Sequence, residues 1–110
     1  MRRIELHRHT RPELACKLVD VPELDDPGPD QVIVAIRASA INPADLLMFE
    51  GRYPGPEILP APVGIEGAGI VVKVGADVTT LAPGDHVISL GRANWAEEIL
   101  VDAGTLVRIP

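Results

Sequence analysis

The sequence predicts a mainly β domain, a small, partly open β-barrel or sandwich carrying one short helix. Three observations lead there. Short runs rich in β-branched residues recur along the 110 residues. The 10 glycines and 11 prolines fall between those runs, which is the punctuation of strands and turns. No stretch alternates strands with long helical patterns, so a doubly wound nucleotide-binding sheet is excluded within this chain. The length suits one domain and no more. With 46% apolar residues the chain can bury a core, but it holds one Phe, one Tyr and one Trp, so that core must rest on aliphatic side chains.

Taken in order, the expected strands are Arg3–Leu6, Ala15–Val21, Gln31–Ala38, Gly67–Val74, His86–Leu90, Trp95–Val101 and Leu106–Ile109. The linker Asp25-Asp26-Pro27-Gly28-Pro29-Asp30 separates the second from the third, and Pro83-Gly84-Asp85 marks a tight turn before the fifth. One segment reads as helix, Pro43–Glu50. Asn42 stands at its N-cap, Pro43 at its first position, Asp45 in its first turn and Gly51 just past its end. Pro54, Pro56, Pro60 and Pro62 then deny the backbone donors a ladder needs, so residues 52–62 read as an extended surface loop.

Composition removes several classes of function. Ten Lys and Arg against sixteen Asp and Glu give a net charge of −6, which offers no source for phosphate neutralisation and argues against a nucleic-acid partner. The longest apolar run, Val32 to Ile36, is far short of the ~18 residues a membrane-spanning helix needs. His7, Arg8, His9 and Arg11 stand where a signal peptide would be apolar, so the expected compartment is the cytoplasm. Cys16 has no cysteine partner and is expected in a half-buried strand without a chemical role. His7, His9 and His86 do not make up a metal-ligand set with it, and no metal is expected. Ser39 and Ser89 lack a nucleophile elbow.

Gly64-Ile65-Glu66-Gly67-Ala68-Gly69 departs from the dinucleotide fingerprint in spacing and leads into a strand, where a pyrophosphate needs a helix N-terminus. The reading from the residues is a bend with close backbone approach on entry to a strand. Together with Ala40-Ile41-Asn42-Pro43-Ala44-Asp45, Gly51-Arg52-Tyr53-Pro54, Val74-Gly75-Ala76-Asp77-Val78 and Leu81-Ala82-Pro83-Gly84-Asp85-His86-Val87, this run resembles the N-terminal catalytic domain of the medium-chain dehydrogenase/reductase superfamily. The resemblance implies that residues 1–110 are a GroES-like catalytic domain, with the family's Rossmann cofactor domain absent from this chain. Zinc alcohol dehydrogenases carry a Cys where Asn42 stands and a His where Ile65 stands, so the chain is similar to the zinc-independent branch of quinone oxidoreductases and 2-enoyl-thioester reductases. Asn94-Trp95-Ala96-Glu97-Glu98 resembles the enoyl reductases' Gly-Thr-Trp region and inclines the reading toward them.

What the resemblance implies is part of an NADPH-dependent reductase of an activated C=C bond in an enoyl thioester, or of a quinone. A phenol, with an ordinary pKa near ~10, can protonate an enolate at neutral pH. Tyr53, at the position matching the family's catalytic tyrosine, is then the proton donor, although its ring could simply pack over the helix end. Asn42 would lie beside the nicotinamide, and as an N-cap it could be structural instead or as well. Trp95 would line the substrate channel or pack as core. Asp45 reads as structural, and Glu66 as a buried, paired carboxylate. From a different class, the chain could be a free-standing GroES-like binding or assembly module without enzymatic activity. In either case an incomplete barrel leaves sheet edges unpaired, and self-association is expected.

Overall fold

The computed structural model describes residues 1–110. The order of elements is β1 (Arg2–Leu6), α1 (Pro12–Ala15), β2 (Cys16–Asp20), β3 (Gln31–Ala38), α2 (Pro43–Phe49), β4 (Ala61–Pro62), β5 (Gly67–Val74), β6 (His86–Ser89), β7 (Glu98–Asp102), a 3-10 turn (Ala103–Thr105) and β8 (Leu106–Arg108). They form two sheets, β2-β1-β4 and β7-β3-β5-β6-β8, in which every pairing is antiparallel. Neither sheet closes on itself, so the mainly β, partly open architecture is the observed one.

β3, the longest apolar run, is an interior strand of the larger sheet. It pairs with β5 from Val32↔Val74 to Ala38↔Ala68, and with β7 from Gln31↔Asp102 to Ala35↔Glu98. Register shifts at Ile33/Val34 and Ile36/Ala38 bend this long pair, as bulges do. The bend brings its far end over toward β1. There Ile4 N–H donates to Trp95 O at 2.8 Å and Glu97 N–H to Arg2 O at 3.1 Å, which stitches one sheet to the other. Two apolar clusters result. Val32, Val34, Val71, Leu81, Val87 and Ile99 fill the five-stranded side, and Leu6, Ala15, Phe49 and Val63 fill the side of β1 and α2.

The expected bounds of β3 and β5 are the observed ones, and α2 ends one residue earlier than expected. Its end has a visible cause. Gly51 takes φ 77°, its N–H donates to Met48 O at 3.1 Å, and Arg52 N–H donates to Leu47 O at 2.8 Å, satisfying the last carbonyls. Three expectations need correction. Pro12–Ala15 forms a second helix, a single turn whose Ala15 and Leu14 amides both donate to Arg11 O. Ala61–Pro62, expected in the loop, pairs as β4 with Glu5 and Leu6, since Pro62 sits on an edge where its missing donor costs nothing. The strand expected from Trp95 begins at Glu98, because Trp95–Glu97 bond to β1 through Trp95 O and Glu97 N–H, while Glu97 O still accepts from Ile36 of β3. No helix is long and apolar enough to cross a membrane.

Candidate functional site

An open groove of about 840 Å³ lies between β1, β2, the end of β3 and the outer side of α2. Ile4, Leu18, Ile36, Ile41, Leu46 and Trp95 give it apolar walls, and Arg2, Arg37, Glu13 and Glu97 stand among the lining residues as well. Such a surface suits an acyl chain or a ring better than a sugar or a nucleotide phosphate.

α2 holds one side of it. Its N-terminus is closed by a capping box between Asn42 and Asp45, whose short arm runs from the Asn42 backbone N–H to Asp45 Oδ2 at 2.8 Å. Asp45 is fully buried, as a structural residue should be, and its second oxygen has no protein partner. Asn42, extended at φ −97° and ψ 153°, is half-buried directly after the groove residue Ile41. Cys16 lies in β2, half-buried on the groove wall. Burial, and after it the negative charge of Asp45, push its thiol up from the ordinary value, which favours the protonated form.

Trp95 forms the wall adjoining α2. Its ring meets Phe49 of α2 edge-on, with centroids 5.5 Å apart at 72°. Its indole N–H donates to Ala40 O at 3.3 Å, and its backbone N–H to Val63 O at 3.0 Å. Gly64 permits this approach. It takes φ 105°, and a Cβ there would lie 2.3 Å from Trp95 Cδ1. The glycines at 64 and 67 therefore serve close backbone approach into β5, as the residue pattern indicated.

Of the three residues singled out from the sequence, only Trp95 lines the groove; Asn42 follows the lining residue Ile41 but does not itself line it. Tyr53 does not line it. The ring is 44% exposed in the loop after α2, so it does not pack fully over the helix end. That loop is seated against the helix by Gly55, where a Cβ would lie 2.4 Å from Met48 Cγ. Glu66 corrects another expectation: it is half-buried and forms neither an ion pair nor a side-chain hydrogen bond, because the inner side of that bend is taken by Trp95 and Asn94. The buried acid that is ion-paired is Glu5 instead, 8% exposed, accepting from Arg3 Nη2 at 2.6 Å with His7 Nε2 3.2 Å away. His9 Nδ1 is 3.1 Å from Met48 O, and His86 is exposed on β6. Sequence reasoning missed Asn94, which is 1% exposed beside Trp95. Its only signal was adjacency to the single tryptophan.

Fold and groove together define a GroES-like β domain with an apolar site at the start of its helix. Residues 28–110 match the alcohol dehydrogenase GroES-like domain, and the chain belongs to that family. It is 41% identical over 98 residues to the mitochondrial enoyl-[acyl-carrier-protein] reductase of Caenorhabditis elegans, covering 87% of this chain and 28% of that protein. Among solved structures it is similar to Escherichia coli quinone oxidoreductase complexed with NADPH, with a TM-score of 0.88 and 32% identity over 100% of this chain and 33% of that one. It is also similar to the mitochondrial 2-enoyl thioester reductase Etr1p/Etr2p heterodimer of Candida tropicalis, with a TM-score of 0.87 and 30% identity over 99% and 33%. The chain thus spans about a third of the length of these relatives, which are oxidoreductases.

Proposed function

We propose that this chain is the catalytic-domain portion of a zinc-independent, NADPH-dependent reductase of an activated C=C bond, with a 2-enoyl thioester as the favoured substrate and a quinone as the second. The observation that carries it is the apolar groove walled by Trp95 at the capped start of α2, in a chain whose relatives reduce those two substrate classes. The positions where the zinc enzymes place Cys and His hold Asn42 and Ile65, whose side chains are poor zinc ligands.

Of the cofactor, these residues suit only the nicotinamide end. The glycines at 64, 67 and 69 open onto β5 and offer no helix N-terminus to a pyrophosphate, whose binding would fall to residues outside this chain. When bound, NADPH supplies the hydride. Asn42, held by the capping box, would border the nicotinamide, and Trp95 would pack against the acyl or quinone part of the substrate. Tyr53 would give its phenolic proton to the α-carbon of the enolate. Tyr53 stands outside the groove lining, so a substrate that it protonates would have to extend from the groove toward the loop after α2.

In the full-length protein, Tyr53→Phe is expected to lower the rate of NADPH-dependent crotonyl-thioester reduction by ~10²–10⁴ while quinone reduction falls less. An unchanged thioester rate removes Tyr53 from the mechanism. A second reading, a binding or assembly module, is favoured by the unpaired outer edges of β2 and β8, beside which Leu18, Ile88 and Val107 are exposed. It expects concentration-dependent association of this 110-residue chain in sedimentation, and a concentration-independent monomer counts against it.

A further inference from the structure

Asn94 belongs to no helix or strand, yet it is 1% exposed. A primary amide buried among loops has to find partners in their backbones. Its Nδ2, with two protons, lies within hydrogen-bond distance of three carbonyls that share them: Gly64 at 3.1 Å, Ser89 at 3.3 Å and Gly91 at 2.8 Å. These lie at the bend into β5, at the last residue of β6 and in the turn beyond it. Two bonds to the main chain of Asn94 tighten the knot. Asn94 N–H donates to Gly64 O at 3.1 Å, and Ser39 Oγ donates to Asn94 O at 3.2 Å. Space there is closely filled: a Cβ on Gly67 would lie 3.0 Å from Asn94 Cβ and 3.2 Å from Ser39 Oγ.

Trp95, the next residue, carries this order into the groove. Its backbone bond to Val63 and its indole bond to Ala40 span the two segments Asn94 already touches, at Gly64 and Ser39. Ala40 stands two residues before Asn42. We propose that Asn94 is a positioning residue: its amide locks the bend at Gly64 against the turn at Gly91 and thereby sets the Trp95 indole on Ala40, fixing the groove wall relative to Asn42. The nitrogen does this work alone, since Asn94 Oδ1 has no protein donor. An aspartate of the same shape would face three carbonyl oxygens with a carboxylate, and a leucine would take the side-chain donor from all three, leaving Gly64 O its bond from the Asn94 backbone N–H.

The effect on turnover rests on the reductase reading, whereas the placement of Trp95 does not. The test therefore uses two readouts in the full-length protein. The first is the Trp95 indole 15N–H signal, assigned by its loss in Trp95→Phe. The second is kcat and KM for crotonyl-thioester reduction by NADPH. In Asn94→Asp and Asn94→Leu the indole proton is expected to exchange about tenfold faster or more. Thioester kcat is expected to fall about 10–100-fold, with the KM for NADPH within twofold. Ser39→Ala, which deletes only an exposed hydroxyl's bond to the Asn94 carbonyl, covers the case in which both Asn94 variants fail to fold. It is expected to speed indole exchange about threefold. An unmoved indole signal in a folded variant overturns the positioning role, and so does a kcat that stays put while the signal moves. An inactive wild-type protein whose indole signal still responds to these changes overturns the reductase reading and leaves the positioning role standing.

Discussion

The two apolar clusters are built by different means. On the five-stranded side six aliphatic residues, all but Leu81 from strands, meet without an aromatic or charged side chain among them, and Val32, Val34 and Val87 are fully buried. On the side of β1 and α2 only four residues form the cluster, and an aromatic pair, a buried acid and a buried amide surround it. The first is a stack of antiparallel neighbours whose alternation already puts them on one face. The second joins positions as distant as Leu6, Phe49 and Trp95 and needs directional bonds to hold them. Stability therefore resides in both, but the geometry of the site depends on the second, where a groove has to stay open beside the packed ring of Phe49.

The sharpest way to break that contrast is to truncate one residue in each. Phe49→Ala removes a 2% exposed ring and its edge contact with Trp95, at an expected cost of about 3–5 kcal/mol, against about 1.5–3 kcal/mol for Val71→Ala in the other cluster. Denaturant unfolding of the two variants checks the order, and equal losses would erase the distinction. Next comes Gly69→Ala. A Cβ there would stand 2.1 Å from the Ala35 carbonyl oxygen, backbone against backbone, so β3 and β5 must separate. The expected loss is about 1–3 kcal/mol, confined to the five-stranded side, with Trp95 fluorescence unchanged below the transition.

The smallest expected effect concerns the seam between the sheets. Glu97 accepts the Arg2 backbone N–H at 2.5 Å, and that bond, helped by the Arg2 charge, holds its carboxyl below the ordinary carboxylate value. A depressed folded pKa means the contribution is present above the unfolded pKa and fades as pH falls through the folded one. Because Glu97 is exposed, screening keeps the effect small. Glu97→Gln should lower stability slightly at pH 7 and flatten its acid limb. Thermal melts from pH 7 down to pH 3 read this, and an identical acid slope in both proteins would remove Glu97 from the seam.

Much of the five-stranded side was legible. The bounds of β3 and β5 follow from uninterrupted β-branched runs, and α2 follows from proline and glycine at its two ends, signals that act within a few residues of the structure they set. The missed elements share the opposite property. β4 is two residues long and exists only because β1 offers a partner, and α1 is one turn whose bonds gather on Arg11 O. At the site, Trp95 and Asn42 were legible as candidates, the first as a lone large ring and the second as a cap. Asn94 was not, because an asparagine in a loop has the same local signature whether it is solvated or satisfied by three carbonyls.

By itself, then, the sequence determined the class of fold, the placement of the long strands and the capped helix, and the family to which the chain belongs, since each rests on periodicity, punctuation or motif order along the chain. The tertiary structure decided that Glu5 and not Glu66 is the buried, ion-paired acid, that Tyr53 stands apart from the groove Trp95 lines, and that the Asn94 amide meets three backbone carbonyls. Those outcomes depend on which backbone carbonyls and side chains converge from segments tens of residues apart, and burial of a polar group is settled only where its partners meet.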